Sequence, residues 1–268
     1  MTEGSPSWRL HDGEGAPVSL ENAVARLAGA DVVLFGELHG VRAVHDLEHA
    51  LARALHRAWG GRMALGAEMF ESDDQLVLDE YLAGLIPHRH LVAEAKTWDG
   101  HETDYRPLVD LARENGLRFV ATNAPRRYAG LVAREGLEAL ARLSPEALRL
   151  LVPLPIRVDL ATPGYREMLA MELPMGGMAA RPENLVAAQA LKDATMAHFV
   201  SRAVGPGTAL LHVNGAYHSQ GRGGICWWLE RVRPELRVAT VTCVVGDPAR
   251  FDAAHRGAGD FVVVADAR

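Results

Sequence analysis

Two short turns carry the residues best suited to chemistry in this sequence: Gly36-Glu37-Leu38-His39 and Gly215-Ala216-Tyr217-His218. Each follows a run of apolar, β-branched residues and offers an imidazole three positions after a glycine. Glycine lets a chain leave a strand at unusual backbone angles and keeps the backbone close to a ligand. The glutamate and histidines that follow would then face one crevice. Glu68, in Gly66-Ala67-Glu68-Met69-Phe70, and Asn123, with Arg126 after it, end two further apolar runs. Two imidazoles with carboxylates form a sound nitrogen and oxygen donor set for Zn²⁺, Mn²⁺ or Co²⁺. A remaining carboxylate can serve as a general base. Taken singly, each feature has a plainer reading: a histidine cap, an Asx turn before Pro125, a surface arginine. Convergence is the argument for a site, because open α/β sheets bind ligands outside the carboxyl ends of their strands.

The elements that must hold these residues alternate. Short apolar runs at Val32–Phe35, Met63–Ala67, Leu117–Thr122, Thr208–Val213, Arg237–Val244 and Phe261–Val264 read as parallel strands apolar on both faces. Helices are expected between them. Val41–Trp59 has Val44, Leu47, Leu51 and Leu55 on one face, and Ser72 with Gln75 reads as a capping box opening Asp73–Ala83 before Gly84. Tyr105–Asn115 ends at Gly116, Arg126–Leu143 precedes Ser144-Pro145-Glu146, Pro182–Val204 is the longest, and Gly224–Val232 is a short amphipathic piece. This predicts an α/β fold: a mostly parallel central sheet with helices on both faces. Residues 145–180 lack a strand pattern and read as a helical insertion or lid over the sheet's edge, within a single domain spanning 1–268.

A second histidine cluster competes. His45-Asp46-Leu47-Glu48-His49 matches the H-x-x-E-H inverted zincin pattern, with His56 on the same stripe. A solvated helix flank accounts for His49 and His56. His45 lies within two turns of His39 and can lean over the same crevice. Met168, Met171, Met175 and Met178 flank Gly176-Gly177, which reads either as an adaptable apolar lid or as core filler with a loop. Trp98, Trp227 and Trp228 read as packing anchors. Cys226 and Cys243, the only cysteines, lack a C-x-x-C partner and read as small core residues.

Composition narrows the classes. In 268 residues, 49% are apolar and 23% charged, the profile of a globular chain able to bury its own core. A net charge of −6 argues against a general nucleic-acid or anionic-membrane surface. The only lysines are Lys96 and Lys192, to which the sequence attaches no role. Met1–Gly15 is polar and acidic, without a basic region, an apolar core or a lipobox cysteine, and no stretch reaches the ~20 apolar residues of a membrane span. A cytoplasmic protein is therefore expected, without nucleic-acid or membrane partners.

The quoted motifs, in order and spacing, resemble the ChaN-like haem-binding uptake family of the Tiki/TraB/erythromycin-esterase-like superfamily. The resemblance runs from about Asp31 to Val245. It rests on Val33–His39 with His45, Ala64–Phe70, Tyr105-Arg106-Pro107-Leu108, Ala121–Arg126, Ala188–Met196 and Asn214–His218. It implies a parallel sheet flanked by helices. Tiki-like relatives are metal-dependent proteases using a glutamate and Gly-x-x-His motifs. Esterase-like relatives hydrolyse a lactone with similarly placed His and Glu. ChaN-type members are membrane-anchored lipoproteins that bind haem through tyrosine; the tyrosines available here include Tyr105, Tyr165 and Tyr217.

Two readings follow. The first is a metal-dependent hydrolase acting on a peptide or ester bond of a peptide or small-molecule substrate. His39, Glu68 and His218, with His45, would hold the metal; Glu37 would be base or further ligand; Arg126 and Asn123 would orient the carbonyl or stabilise its oxyanion. The second is a haem- or iron-binding protein without catalysis, using Tyr105 or Tyr217. A third route lets His39 or His218 activate water without a metal. A homodimer is the assembly to be tested.

Overall fold

All six residues of Val32–Glu37 are buried, as the centre of a parallel sheet demands of a strand covered on both faces. Val33 and Phe35 pack into the core on one face, and Val32 and Leu34 into the core on the other. The structure, a computed structural model, describes residues 7–170 and 181–267. Its strands are β1 (Trp8–Asp12), β2 (Val32–Glu37), β3 (Met63–Glu71), β4 (Arg118–Asn123), β5 (Ala209–Gly215), β6 (Val238–Val245) and β7 (Phe261–Ala265). They form one seven-stranded sheet in the order β1-β7-β6-β2-β5-β3-β4. Every neighbouring pair is parallel except β1 with β7.

The helices among the described residues are α1 (Leu20–Leu27), α2 (Arg42–Ala58), α3 (Gln75–Leu82), α4 (His88–Glu94), α5 (Arg106–Asn115), α6 (Arg126–Glu135), α7 (Pro145–Leu148), α8 (Tyr165–Ala170), α9 (Pro182–Ala203) and α10 (Gly224–Val232). One core joins the sheet to α1, α2, α3 and α5; the other joins it to α6, α9 and α10. The expected architecture, a mostly parallel sheet with helices on both faces, is the one observed. Full burial of each large apolar side chain in these cores contributes about 1.5–3 kcal/mol. No described helix is long and apolar enough to cross a membrane. Cys226 and Cys243 are free, buried core residues.

Several expectations are corrected. The N-terminal stretch read as polar contains β1, whose Leu10 and His11 are buried against β7. It is an antiparallel edge strand, so its burial comes from the ladder it joins, and five mixed residues show no alternation of their own. Arg126–Leu143 is not one helix. It breaks at Gly136, at φ +87°, and resumes as a 3₁₀ segment over Leu137–Arg142. The capping box falls one residue early, with Glu71 and Asp74 as its reciprocal pair. Ser72 instead donates to the Leu150 carbonyl at 2.6 Å.

Gln75, assigned by sequence to that box, serves the sheet. Its amide donates to Phe119 O at 3.0 Å and accepts from Ala121 N at 2.8 Å, completing the open edge of β4. The described part of the insertion holds only α7 and α8, and α8 packs on α9 through Tyr165 against Val186 and Ala190. Met171, Met175, Met178 and Gly176-Gly177 lie outside the described residues.

Because one amide serves two backbone groups of an otherwise unpaired edge, Gln75→Ala is expected to cost about 1–3 kcal/mol in urea denaturation. A change below about 0.5 kcal/mol, within the usual range of surface substitutions, would show that water replaces it fully.

Candidate functional site at the carboxyl edge of the sheet

Strand order brings the two Gly-x-x-His turns together. β2 and β5 are neighbours, and Glu37 stands opposite Gly215 in register. β3 flanks β5 on its other side, and its pairing with β4 slips between Ala67 and Glu71. Such a bulge re-aims side chains. Here it accompanies Glu68, whose Oε2 accepts the Gly215 N–H at 2.8 Å. The glycines act through close approach more than through unusual angles. Gly215 sits at φ −57°, and a Cβ there would lie 2.8 Å from His39 Nε2. A Cβ on Gly36 would lie 2.9 Å from Ala216 Cα.

His218 is clamped between carboxylates. Nε2 donates to Glu68 Oε1 at 3.0 Å, and Nδ1 makes a very short hydrogen bond to Asp193 Oδ1. The other Asp193 oxygen accepts from Tyr165 OH at 2.7 Å, and Tyr165 in turn accepts from Trp228 Nε1 at 3.1 Å. Burial alone would push the His218 pKa down; Glu68 and Asp193 outweigh it and raise it to about 10. Burial likewise pushes Glu68 up, but the His218 charge and the Gly215 N–H bring it to about 2. The arrangement favours an imidazolium between two carboxylates, with its ring nitrogens and both Glu68 oxygens already engaged.

Glu37 is the second hub, fully buried. Its Oε1 accepts from His39 Nδ1 at 2.6 Å and from Tyr105 OH at 2.9 Å. Its Oε2 faces inward, 3.4 Å from His45 Nδ1. His45 Nδ1 is also 3.6 Å from Glu48 Oε2. These inward atoms, with Glu48 Oε1, have no hydrogen-bond partner. Burial, with the Glu37 carboxylate beside it, holds the Glu48 carboxyl well above its usual pKa. Tyr105 is brought in by a π-helical turn over His101–Tyr105 that opens at Gly100 with φ +81°, a device frequent at functional sites.

Above Glu37 opens a cleft of about 700 Å³, lined by His39, Trp98, Tyr105, Asn123, Arg126 and both lysines, Lys96 and Lys192, among others. The His39 side chain is 49% exposed, and the hydrogen bond to Glu37 raises its pKa. Trp98 packs against the core, as expected, and also stands edge-on to His39 with ring centroids 5.3 Å apart. Arg126 donates through Nε to Glu71 Oε1. Asn123 donates to the Glu68 carbonyl at 3.0 Å and leaves its Oδ1 buried without a partner. The amide thus pins the strand bearing Glu68 with one of its two N–H groups.

Glu37, His39, Glu68, His218, Asn123 and Arg126 therefore share one rim, as expected. Their donor atoms, however, are committed to one another in two hydrogen-bonded groups. The compact donor set among the described residues is Glu37, His45 and Glu48, with one ligand atom from each within 4.8 Å of the others. His49, read as a solvated flank, is buried and donates to the Asp104 carbonyl at 2.6 Å, so the zincin-like pair does not converge. Tyr217 is 52% exposed beside the rim, and Tyr105 is buried. Asp193 was not singled out from the sequence, and Glu48 entered only as part of the zincin-like pattern. The usable signal for Asp193 was a carboxylate in the buried series Ala190, Leu191, Ala194 and Ala197 of α9.

Paired imidazole–carboxylate groups at the carboxyl edge of a parallel sheet define an α/β protein with a polar cleft at that edge. More narrowly, the chain belongs to the ChaN family of the Tiki superfamily, described as haem-binding uptake proteins, whose model matches residues 23–229. The solved structure of ChaN of Campylobacter jejuni, which shows cofacial haem binding, is similar with a TM-score of 0.73 at 18% identity over 97% of both chains. The type III effector HopBA1 is similar with a TM-score of 0.51 at 13% identity, over 98% of this chain and 99% of that one. No match to a curated protein was found. At these identities the structural likenesses establish the fold.

The clamp makes a direct prediction. His218 binds its second proton more tightly folded than unfolded, so its stabilisation is full below pH ~6.5 and fades as pH rises toward about 10. Nitrogen-detected NMR at pH 8 is expected to show His218 protonated at both ring nitrogens. A neutral tautomer at that pH would contradict the clamp.

Proposed function

We propose that this protein is a hydrolase of peptide or ester carbonyl bonds, with His39 as general base. The observation that carries the reading is the His39–Glu37 pair: a half-exposed imidazole in the cleft whose Nδ1 is held at 2.6 Å by a buried carboxylate. A carboxylate at Nδ1 fixes the tautomer that leaves Nε2 as a base and stabilises the imidazolium formed when it takes a proton. Glu37 keeps its aim through a second donor, Tyr105 OH. Nε2 lies over Gly215, whose missing side chain makes room for the imidazole ring itself. His39 would draw a proton from water there as the water adds to the carbonyl carbon. Arg126 and the lysines of the cleft supply positive charge toward the oxygen that becomes negative.

Metal dependence belongs to this proposal. A divalent ion beside Glu37 would balance the charge of this buried carboxylate while it holds His39. Removing His39 as His39→Ala is expected to lower the rate about 10²–10⁴-fold on chromogenic esters or fluorogenic peptides, with circular dichroism unchanged. Full activity in that variant would end the reading.

A second reading is favoured by family membership and by Tyr217: haem or iron binding without catalysis. Of the two tyrosines, Tyr217 suits it better. Burial and the Glu37 carboxylate push the Tyr105 phenol far above its ordinary pKa, away from the phenolate that binds ferric iron. Haem titration would then give a Soret shift that Tyr217→Phe removes; an unshifted Soret band in the unmutated protein rejects it.

A further inference from the structure

We infer that Glu37, His45 and Glu48 form a seat for one divalent transition ion beneath the cleft, closed off from substrate. Three side chains from β2 and α2 converge there, all fully buried. Glu37 Oε2, His45 Nδ1 and both Glu48 oxygens lack any hydrogen-bond partner. Buried polar atoms are nearly always paired, and four orphans on three adjacent side chains mark a missing partner. Two carboxylates face each other across one imidazole, so the missing partner is positive: either a proton shared between Glu48 and Glu37 or, as the three convergent donor atoms favour, a metal ion.

The spacing fits. His45 Nδ1 lies 3.4 Å from Glu37 Oε2 and 3.6 Å from Glu48 Oε2, both long for a hydrogen bond. Ligands at ~2.1 Å from a tetrahedral ion stand about 3.4 Å apart. One nitrogen and two carboxylate oxygens suit Mn²⁺ or Zn²⁺ better than a soft ion. A third carboxylate backs the imidazole: Asp104 Oδ2 is 3.7 Å from His45 Nε2. As it stands, His45 Nε2 accepts the Gly40 N–H at 3.3 Å; with Nδ1 on an ion the ring would trade that bond for a proton on Nε2 facing Asp104, the usual support for a ligating histidine.

Lack of exposure decides the role. An ion held by these buried groups does not meet substrate in the cleft. It acts through Glu37, whose other oxygen holds His39 and Tyr105. Glu37 is thus a positioning residue, with the ion behind it and the imidazole in front. The inference names the seat of the ion invoked for hydrolysis, yet ion binding is measured without turnover, so the two can fail separately.

The test uses the full chain stripped by a chelator and titrated with MnCl₂, followed by calorimetry and pulsed EPR. One Mn²⁺ per chain is expected, with nitrogen modulation from a single imidazole. Glu48→Gln, close in shape and neutral, should lose that binding, and Asp104→Asn should weaken it about 10–100-fold. His39→Ala and His218→Asn should keep it. Absence of Mn²⁺ and Zn²⁺ binding in the unmutated protein overturns the seat and leaves a proton as the occupant. Two imidazole nitrogens on the ion, or binding lost in His218→Asn and kept in Glu48→Gln, overturns it in favour of the outer rim. The EPR count reads the unmutated protein, so the result holds even if a variant misfolds.

Discussion

A single buried carboxylate sets the terms for the rest of this structure. Glu37 has no exposed atom on its side chain, so both oxygens must be satisfied by protein or by something bound within it. One oxygen looks outward and orders an imidazole and a phenol at the floor of a cleft. The other looks inward to His45 Nδ1 and to a second carboxyl, atoms left without a hydrogen-bond partner. Burial makes each of these contacts strong and makes an unmatched one costly. The turn after β2 and the π-helical turn before α5 are what bring the outer partners within reach.

The sheet order is the second determinant. β5 lies between β2 and β3, so the two glycine turns and Glu68 meet although Glu68 and Gly215 are far apart in sequence. Close approach at Gly215 leaves room for His39 on one side and lets Glu68 reach the backbone N–H on the other. A Cβ there would displace one or the other. That is a contact requirement, and the backbone angles at this residue are ordinary for any amino acid.

Most of the fold was legible because central parallel strands advertise themselves as short apolar runs; all six expected runs are strands. β1 was not, because an edge strand takes its burial from its neighbour. The break at Gly136 was hidden by an apolar pattern that continues through the 3₁₀ segment. In the site, Glu37, His39, Glu68 and His218 were legible from glycine-bracketed positions at strand ends. Their division into two hydrogen-bonded groups was not, since it depends on side-chain aim. His49 read as a solvated helix flank, yet it and Glu48 are buried, because α2 lies with its polar stripe turned partly onto the site. The two lysines carried no signal at all until the fold set them around one cleft.

The series Trp228, Tyr165, Asp193, His218, Glu68 and the Gly215 N–H runs without a gap from the helical layer to the strand ends. Each member orients the next, so the series behaves as one cooperative element whose parts do not contribute independently. A lesion at its far end, under α8, would be felt at Glu68 as a change of charge and aim. The packing of a remote helix is therefore wired to the electrostatics of the rim, and selection for a well-kept rim would constrain residues that never face the cleft.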